Sequence, residues 1–135
     1  DTDADSLPDN LEYALFRTLA TNNFATADRD NDGIKDADEY RLGTSLLAAS
    51  GALEILMDRN PTGGLEISFP SILASGPGYY GLVRRYNVET TPDLATVAWT
   101  NQTGMISIPA TGGVLTLPVT SPPSNSTFRV RARVE

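Results

Sequence analysis

The sequence predicts a mainly β protein, an antiparallel β-sandwich of about seven strands preceded by two loop–helix units. Three observations carry that prediction. Proline and glycine divide the chain: only Pro8, Gly33 and Gly43 precede residue 50, and the other eight prolines and nine glycines follow it. The apolar period changes at the same point, from helical spacing to strict alternation. The charge is divided there too. Residues 1–43 hold 11 acids and 4 bases, the whole net charge of −7, whereas residues 44–135 hold 6 of each. Two regions follow, a loop–helix region over 1–44 and a β domain over 50–135.

The first region is a duplicated acidic loop. Asp1-Thr2-Asp3-Ala4-Asp5-Ser6-Leu7-Pro8-Asp9-Asn10-Leu11-Glu12 recurs as Asp28-Arg29-Asp30-Asn31-Asp32-Gly33-Ile34-Lys35-Asp36-Ala37-Asp38-Glu39. Each copy has carboxylates at loop positions 1, 3, 5, 9 and 12 and an apolar residue at position 7. A calcium loop needs this spacing: side-chain oxygens at 1, 3 and 5, a backbone carbonyl at 7 and a bidentate Glu at 12. Carboxylates crowded so closely repel one another unless a divalent cation neutralises them. A solvated acidic surface is the bland alternative, and it does not account for the repeated spacing.

Leu11, Ala14, Leu15, Thr18 and Leu19 then fall at helical spacing, predicting a core-facing helix over about 9–20, ended by Asn22 and Asn23. Residues 21–27 read as a polar connector. The second loop opens a short helix near 36–42, closed by Gly43. No helical pattern precedes either loop, so neither has the two-helix hinge of a sensor EF-hand, and a structural ion is expected.

Alternation then predicts strands near 52–58, 64–69, 79–90, 95–100, 104–108, 113–118 and 127–134, separated by Gly/Pro/Asn turns and by a longer connection at Ser121-Pro122-Pro123-Ser124-Asn125. Short strands with turn signals at this spacing favour a sandwich. In the last strand Phe128, Val130, Ala132 and Val134 alternate with Arg129, Arg131, Arg133 and Glu135, one buried face and one solvated face.

The first 44 residues resemble the thrombospondin type 3-like calcium-binding repeats of secreted bacterial proteins, through the two loops and the Tyr40-Arg41-Leu42-Gly43-Thr44 that follows the second. The remainder resembles the C-terminal β-sandwich module of such proteins in Verrucomicrobia and Planctomycetes. That likeness rests on Leu65-Glu66-Ile67-Ser68-Phe69-Pro70-Ser71, on Tyr86-Asn87-Val88 with Asp93-Leu94 and Trp99, and on Phe128-Arg129-Val130-Arg131. The resemblance implies two Ca2+ sites. Ligands of the first would be Asp1, Asp3, Asp5, the Leu7 carbonyl, Asp9 and Glu12; those of the second would be Asp28, Asp30, Asp32, the Ile34 carbonyl, Asp36 and Glu39. Ser6 stands where Gly33 serves the second loop, so the second site is expected to be the stronger. Residues 74–83, with Tyr79-Tyr80, fall outside the family pattern. Trp99 and Tyr86 fall on its core positions.

The function expected is a non-catalytic, extracellular or cell-surface, calcium-binding structural module for attachment, spacing or assembly, in a filament or surface layer for instance. Self-association, or other domains of a longer secreted chain, would be its partners. The alternative is a carbohydrate-binding or adhesion module of a larger secreted enzyme, with Tyr79, Tyr80 and Trp99 as the stacking platform and Tyr79-Tyr80 exposed. With no cysteine and no histidine, Ser-His-Asp and Cys-His chemistry cannot be built. A carboxylate pair for glycoside hydrolysis would have to come from Glu54, Asp58, Glu66, Glu89 and Asp93, and no spacing singles out two of them. An acidic chain is not expected to bind nucleic acid, and no apolar run approaches the ~20 residues that cross a bilayer. The chain opens at Asp1 with neither an initiator Met nor a leader, so a processed protein or a piece of a longer one is expected.

Overall fold

A computed structural model describes residues 1–5, 7–19, 26–49, 53–96, 98–120 and 126–135. Ser6, Asn22 and Asn23, most of the 21–27 connector, the start of the first expected strand at Ala52, Val97 and the connection 121–125 lie outside the described residues. The chain forms two compact units. The first comprises Asp1–Ala52, Ala74–Val83 and Val134, and the second comprises Leu53–Leu73, Arg84–Arg133 and Glu135.

The second unit is mainly β. Its strands are β1 (Leu56–Arg59), β2 (Leu65–Pro70), β3 (Arg84–Thr91), β4 (Thr100–Asn101), β5 (Ile108–Pro109), β6 (Val114–Val119) and β7 (Thr127–Val134). One sheet has the order β1-β2-β6; in the other β3 lies between β4 and β5 and also pairs with β7. The registers of β1 on β2, β2 on β6, and β4 and β5 on β3 are antiparallel. Alternation puts Ile67 and Phe69 of β2, Tyr86 and Val88 of β3 and Val119 of β6 into one buried core with Met105, and Phe128, Val130 and Ala132 of β7 pack against it. The Phe69 and Tyr86 rings meet across the two sheets at 5.3 Å. This is the sandwich the alternation predicts.

Several strands are shorter than expected, for local reasons. The stretch 95–100 gives only β4, because Asp93 draws the chain into a turn by accepting from the Ala95 N–H at 2.8 Å. Ser107 takes a left-handed φ of 59° and donates its N–H to Asn87 Oδ1, which restricts β5 to two residues. β3 starts at Arg84 rather than near 79, because 76–82 form turns closed by Tyr79 N–H to Gly76 O and Leu82 N–H to Tyr79 O. Buried Arg84 donates to the carbonyls of Ile72 and Leu73, and Tyr86 accepts from the Ile72 N–H. The strand is thereby fastened at the point where the chain leaves the sandwich. Trp99 is not a core residue: it is half-buried, with the Arg129 guanidinium 4.2 Å over its ring.

The first unit is built on two helices, α1 (Asp9–Phe16) and α2 (Asp36–Leu42), each directly after an acidic loop. α1 stops well before residue 20, with Arg17 left-handed at φ 59°, so Leu19 lies beyond it at 41 % exposure. α2 ends as expected at Gly43, φ 88°, whose N–H donates to Glu39 O. Leu7, Leu11, Ala37 and Leu46 form the apolar core of this unit, with Leu15, Phe16 and Tyr40 packed against it.

Candidate metal centre

The two loops repeat one another in backbone as well as in sequence. Position 4 is left-handed in both, Ala4 at φ 60° and Asn31 at φ 58°. The position-5 carboxylate accepts from the position-7 N–H, Leu7 to Asp5 Oδ1 and Ile34 to Asp32 Oδ1, each at 2.9 Å. These reversals turn positions 1, 3 and 5 inward. One oxygen from each of Asp1, Asp3 and Asp5 lies within 4.8 Å of the others, and so does one from each of Asp28, Asp30 and Asp32. Oxygens bound to one calcium at 2.3–2.6 Å stand at most about 5 Å apart, so each triad already has the span of a coordination shell.

The position-9 carboxylates are engaged by residues of their own loops. Asp9 accepts from the Thr2 N–H at 2.7 Å and from the Thr2 hydroxyl at 2.8 Å. Asp36 accepts from the Arg29 N–H at 3.0 Å and from the Arg29 guanidinium. Both carboxylates therefore tie position 9 back to position 2 and close the loop, and neither belongs to its triad. The Thr2 bonds hold the Asp9 carboxyl below its ordinary pKa. Arg29 also lies over the Phe16 ring at 4.5 Å, which packs the second loop onto α1.

Position 12 is where the cost of the arrangement concentrates. Glu12 and Glu39 are both fully buried. Glu39 Oε1 accepts from the Thr44 hydroxyl at 3.3 Å, while Oε2 is buried and receives no hydrogen bond from the described residues. Asp28 Oδ1 and Asp30 Oδ2 are in the same condition. Burial, reinforced by the charges of Asp30, Asp32 and Asp28, pushes the Glu39 carboxyl up from 4.5 to about 7. Glu39 thus lies in the field of the Asp28–Asp30–Asp32 triad, although it is not part of that 4.8 Å group. At these separations each half-buried pair repels by up to about 4 kcal/mol, and a buried acceptor left unmet costs a further 1–3 kcal/mol or so. A cation bound at the triad and reached by Glu39 would satisfy all three unmet oxygens.

The donor set fits a hard ion. Every side-chain donor is a carboxylate, and no thiolate or imidazole exists in the chain. Soft and borderline metals favour those missing ligands, whereas Ca2+ favours many oxygens in an adaptable loop. At position 7 the Leu7 side chain is buried in the core and Ile34 is half-buried, each with its N–H turned to the position-5 Asp.

The other candidates are dispersed. Tyr79 is not exposed beside Tyr80: its ring stacks on Tyr40 of α2 at 4.8 Å, and Tyr80 alone projects outward at 73 % exposure. Of the carboxylates considered for catalysis, Glu89 accepts from Arg129 at 2.6 Å and Glu66 from Asn60, while Glu54, Asp58 and Asp93 are exposed. The arginine face of β7 is a network in which Arg133 also donates to Ser107 Oγ. Sequence spacing alone missed three features of the site, namely the left-handed position 4, the 2-to-9 closure and the Tyr40–Tyr79 contact. Only Asn31, a residue type tolerant of that conformation, signalled the first. No family model matches the chain, and neither a curated protein nor a solved structure is significantly similar to it.

Proposed function

We propose that the chain is a non-catalytic calcium-binding structural module of the extracellular space, in which two ions complete the fold of the first unit and the second unit is a β-sandwich. The observation that carries this reading is Glu39, a fully buried carboxylate with an unmet oxygen in the field of three clustered aspartates. A carboxylate in that setting needs either a proton or a cation.

The ligand set supported for the second site is Asp28, Asp30, Asp32, Glu39 and the Ile34 carbonyl. For the first it is Asp1, Asp3, Asp5, Glu12 and the Leu7 carbonyl. Asp9 and Asp36 act as loop closures. The bound ion supplies charge neutralisation and crosslinks each loop to the helix it opens. Extracellular calcium modules bind at about 10⁻⁴–10⁻³ M, a range that external calcium keeps loaded and cytosolic calcium does not. Binding to the folded chain alone adds stability by mass action.

Equilibrium dialysis against millimolar calcium tests the reading. Two ions retained per chain, not displaced by equimolar magnesium, are expected. Retention of none would end the proposal.

A further inference from the structure

We infer that Ala74–Val83, the segment without a counterpart in the family pattern, is a brace for the metal loops, with Tyr79 as the positioning residue of the Glu39 site. The inference rests on the calcium reading above and adds a third element to it. α2 is only seven residues long, and its end leaves carbonyls without helical donors. The N–H groups of Gly43 and Thr44 both go to Glu39 O, so neither serves the next carbonyl, that of Tyr40. The Tyr79 hydroxyl takes that place, donating to Tyr40 O at 2.8 Å. The Tyr40 hydroxyl donates in return to Gly78 O at 2.8 Å, and the two rings stack at 4.8 Å with 14° between their planes. Tyr40 is thus held at its carbonyl, its ring and its hydroxyl, and it directly follows Glu39.

The same segment reaches the other helix. Gly78 has φ 83°, and a Cβ there would stand 2.8 Å from Leu11 Cβ, so only glycine allows this approach. Leu11 directly precedes Glu12. The brace therefore touches the chain neighbour of each position-12 glutamate, although its bonds and its stacked ring all fall on α2. Its support should accordingly act on the second site more than on the first. Ordering Glu39 in advance lowers the conformational cost of placing both carboxylate oxygens on one ion.

The test titrates the full chain with calcium by calorimetry in two backgrounds, Glu12→Gln to isolate the second site and Glu39→Gln to isolate the first. Tyr79→Ala should weaken the second site about tenfold, the low end of what loss of an outer supporting group costs a metal site, and leave the first within about twofold. Tyr79→Phe keeps the stack and loses only the hydroxyl, so it should restore most of the affinity, to within about threefold of the unaltered chain. Should Tyr79→Ala fail to fold, that modest and site-selective loss in Tyr79→Phe still decides the matter. Unchanged affinity at the second site, or an equal loss at both, overturns the brace alone. Absence of calcium binding in the unaltered chain overturns the brace and the calcium reading together.

Discussion

The two units of this chain solve the problem of a small interior in opposite ways. The sandwich encloses Ile67, Phe69, Tyr86, Val88 and Met105, and its buried Arg84 is matched to two carbonyls. Among the described residues the loop unit buries the apolar Leu7, Leu11, Ala37 and Leu46, and with them the carboxylates Glu12, Asp36 and Glu39. Asp36 is paired with the Arg29 guanidinium, whereas Glu39 keeps one oxygen without a hydrogen bond from the described residues. One unit is held by burial of apolar surface, whereas the other is assembled around acceptors that an ion would complete. On the calcium reading proposed above, the acidic unit should depend on its solution conditions more than the sandwich does.

Chelation is the harshest way to break that contrast. At a calcium concentration 100 times Kd each site contributes about 2.7 kcal/mol, and in a unit this small each kcal/mol moves the midpoint by roughly 4–8 °C. Thermal unfolding followed by near-UV circular dichroism should therefore show the tyrosine-rich loop unit losing ten degrees or more on addition of chelator. The signal of Trp99 in the sandwich should hold its midpoint. A common shift of both signals would erase the distinction between the units.

Within the loop unit the two sites can be ranked. Glu39→Gln should remove the second binding event from the titration, because it takes away the bidentate position-12 ligand and its charge. Asp5→Ala should cost the chain less, because it strikes the weaker site. Calorimetry giving the reverse order would contradict the ranking.

Protons sharpen the comparison next. The Glu39 carboxyl titrates near 7 in the folded chain against 4.5 when unperturbed. Between those values the metal-free folded state holds a proton that the unfolded chain has released, so stability is greatest at the acid end and declines as pH rises toward 7. Denaturation in chelator should show this slope, and Glu39→Gln should flatten it. With calcium present the trend inverts, because the ion and the proton compete for the same oxygens and affinity increases with pH. A flat profile without metal would remove Glu39 from the account.

The smallest expected effect lies at position 4. Ala4 takes a left-handed φ that suits Asn31 better, at a cost of about 1 kcal/mol for a residue with a Cβ and no local hydrogen bond. Ala4→Gly should recover part of this and tighten the first site by a few-fold. Asn31→Gly should do little to the second, and equal gains at both would show that position 4 does not separate them.

How much was legible in the sequence follows from the range of each interaction. The loops, α2 with its Gly43 cap and seven strand positions follow from local spacing, because period and turn chemistry act within a few residues. The shortening of α1 and β4 was not legible, since the Arg17 and Asp93 turns override an apolar stripe that continues past them. The role of Asp9 and Asp36 was hidden by chemistry: a carboxylate at position 9 serves equally well as a ligand or as an acceptor for position 2. The Tyr40–Tyr79 contact was beyond reach, because it joins residues 39 apart through a segment that reads as the start of a strand.

Calcium titration of the unaltered chain and of Glu39→Gln in one calorimeter tests the central claim most directly. Two binding events in the first and one in the second, with the stronger event missing, are what the buried carboxylate predicts. Identical isotherms would mean that Glu39 faces no ion, and the first unit would then have to be explained without one.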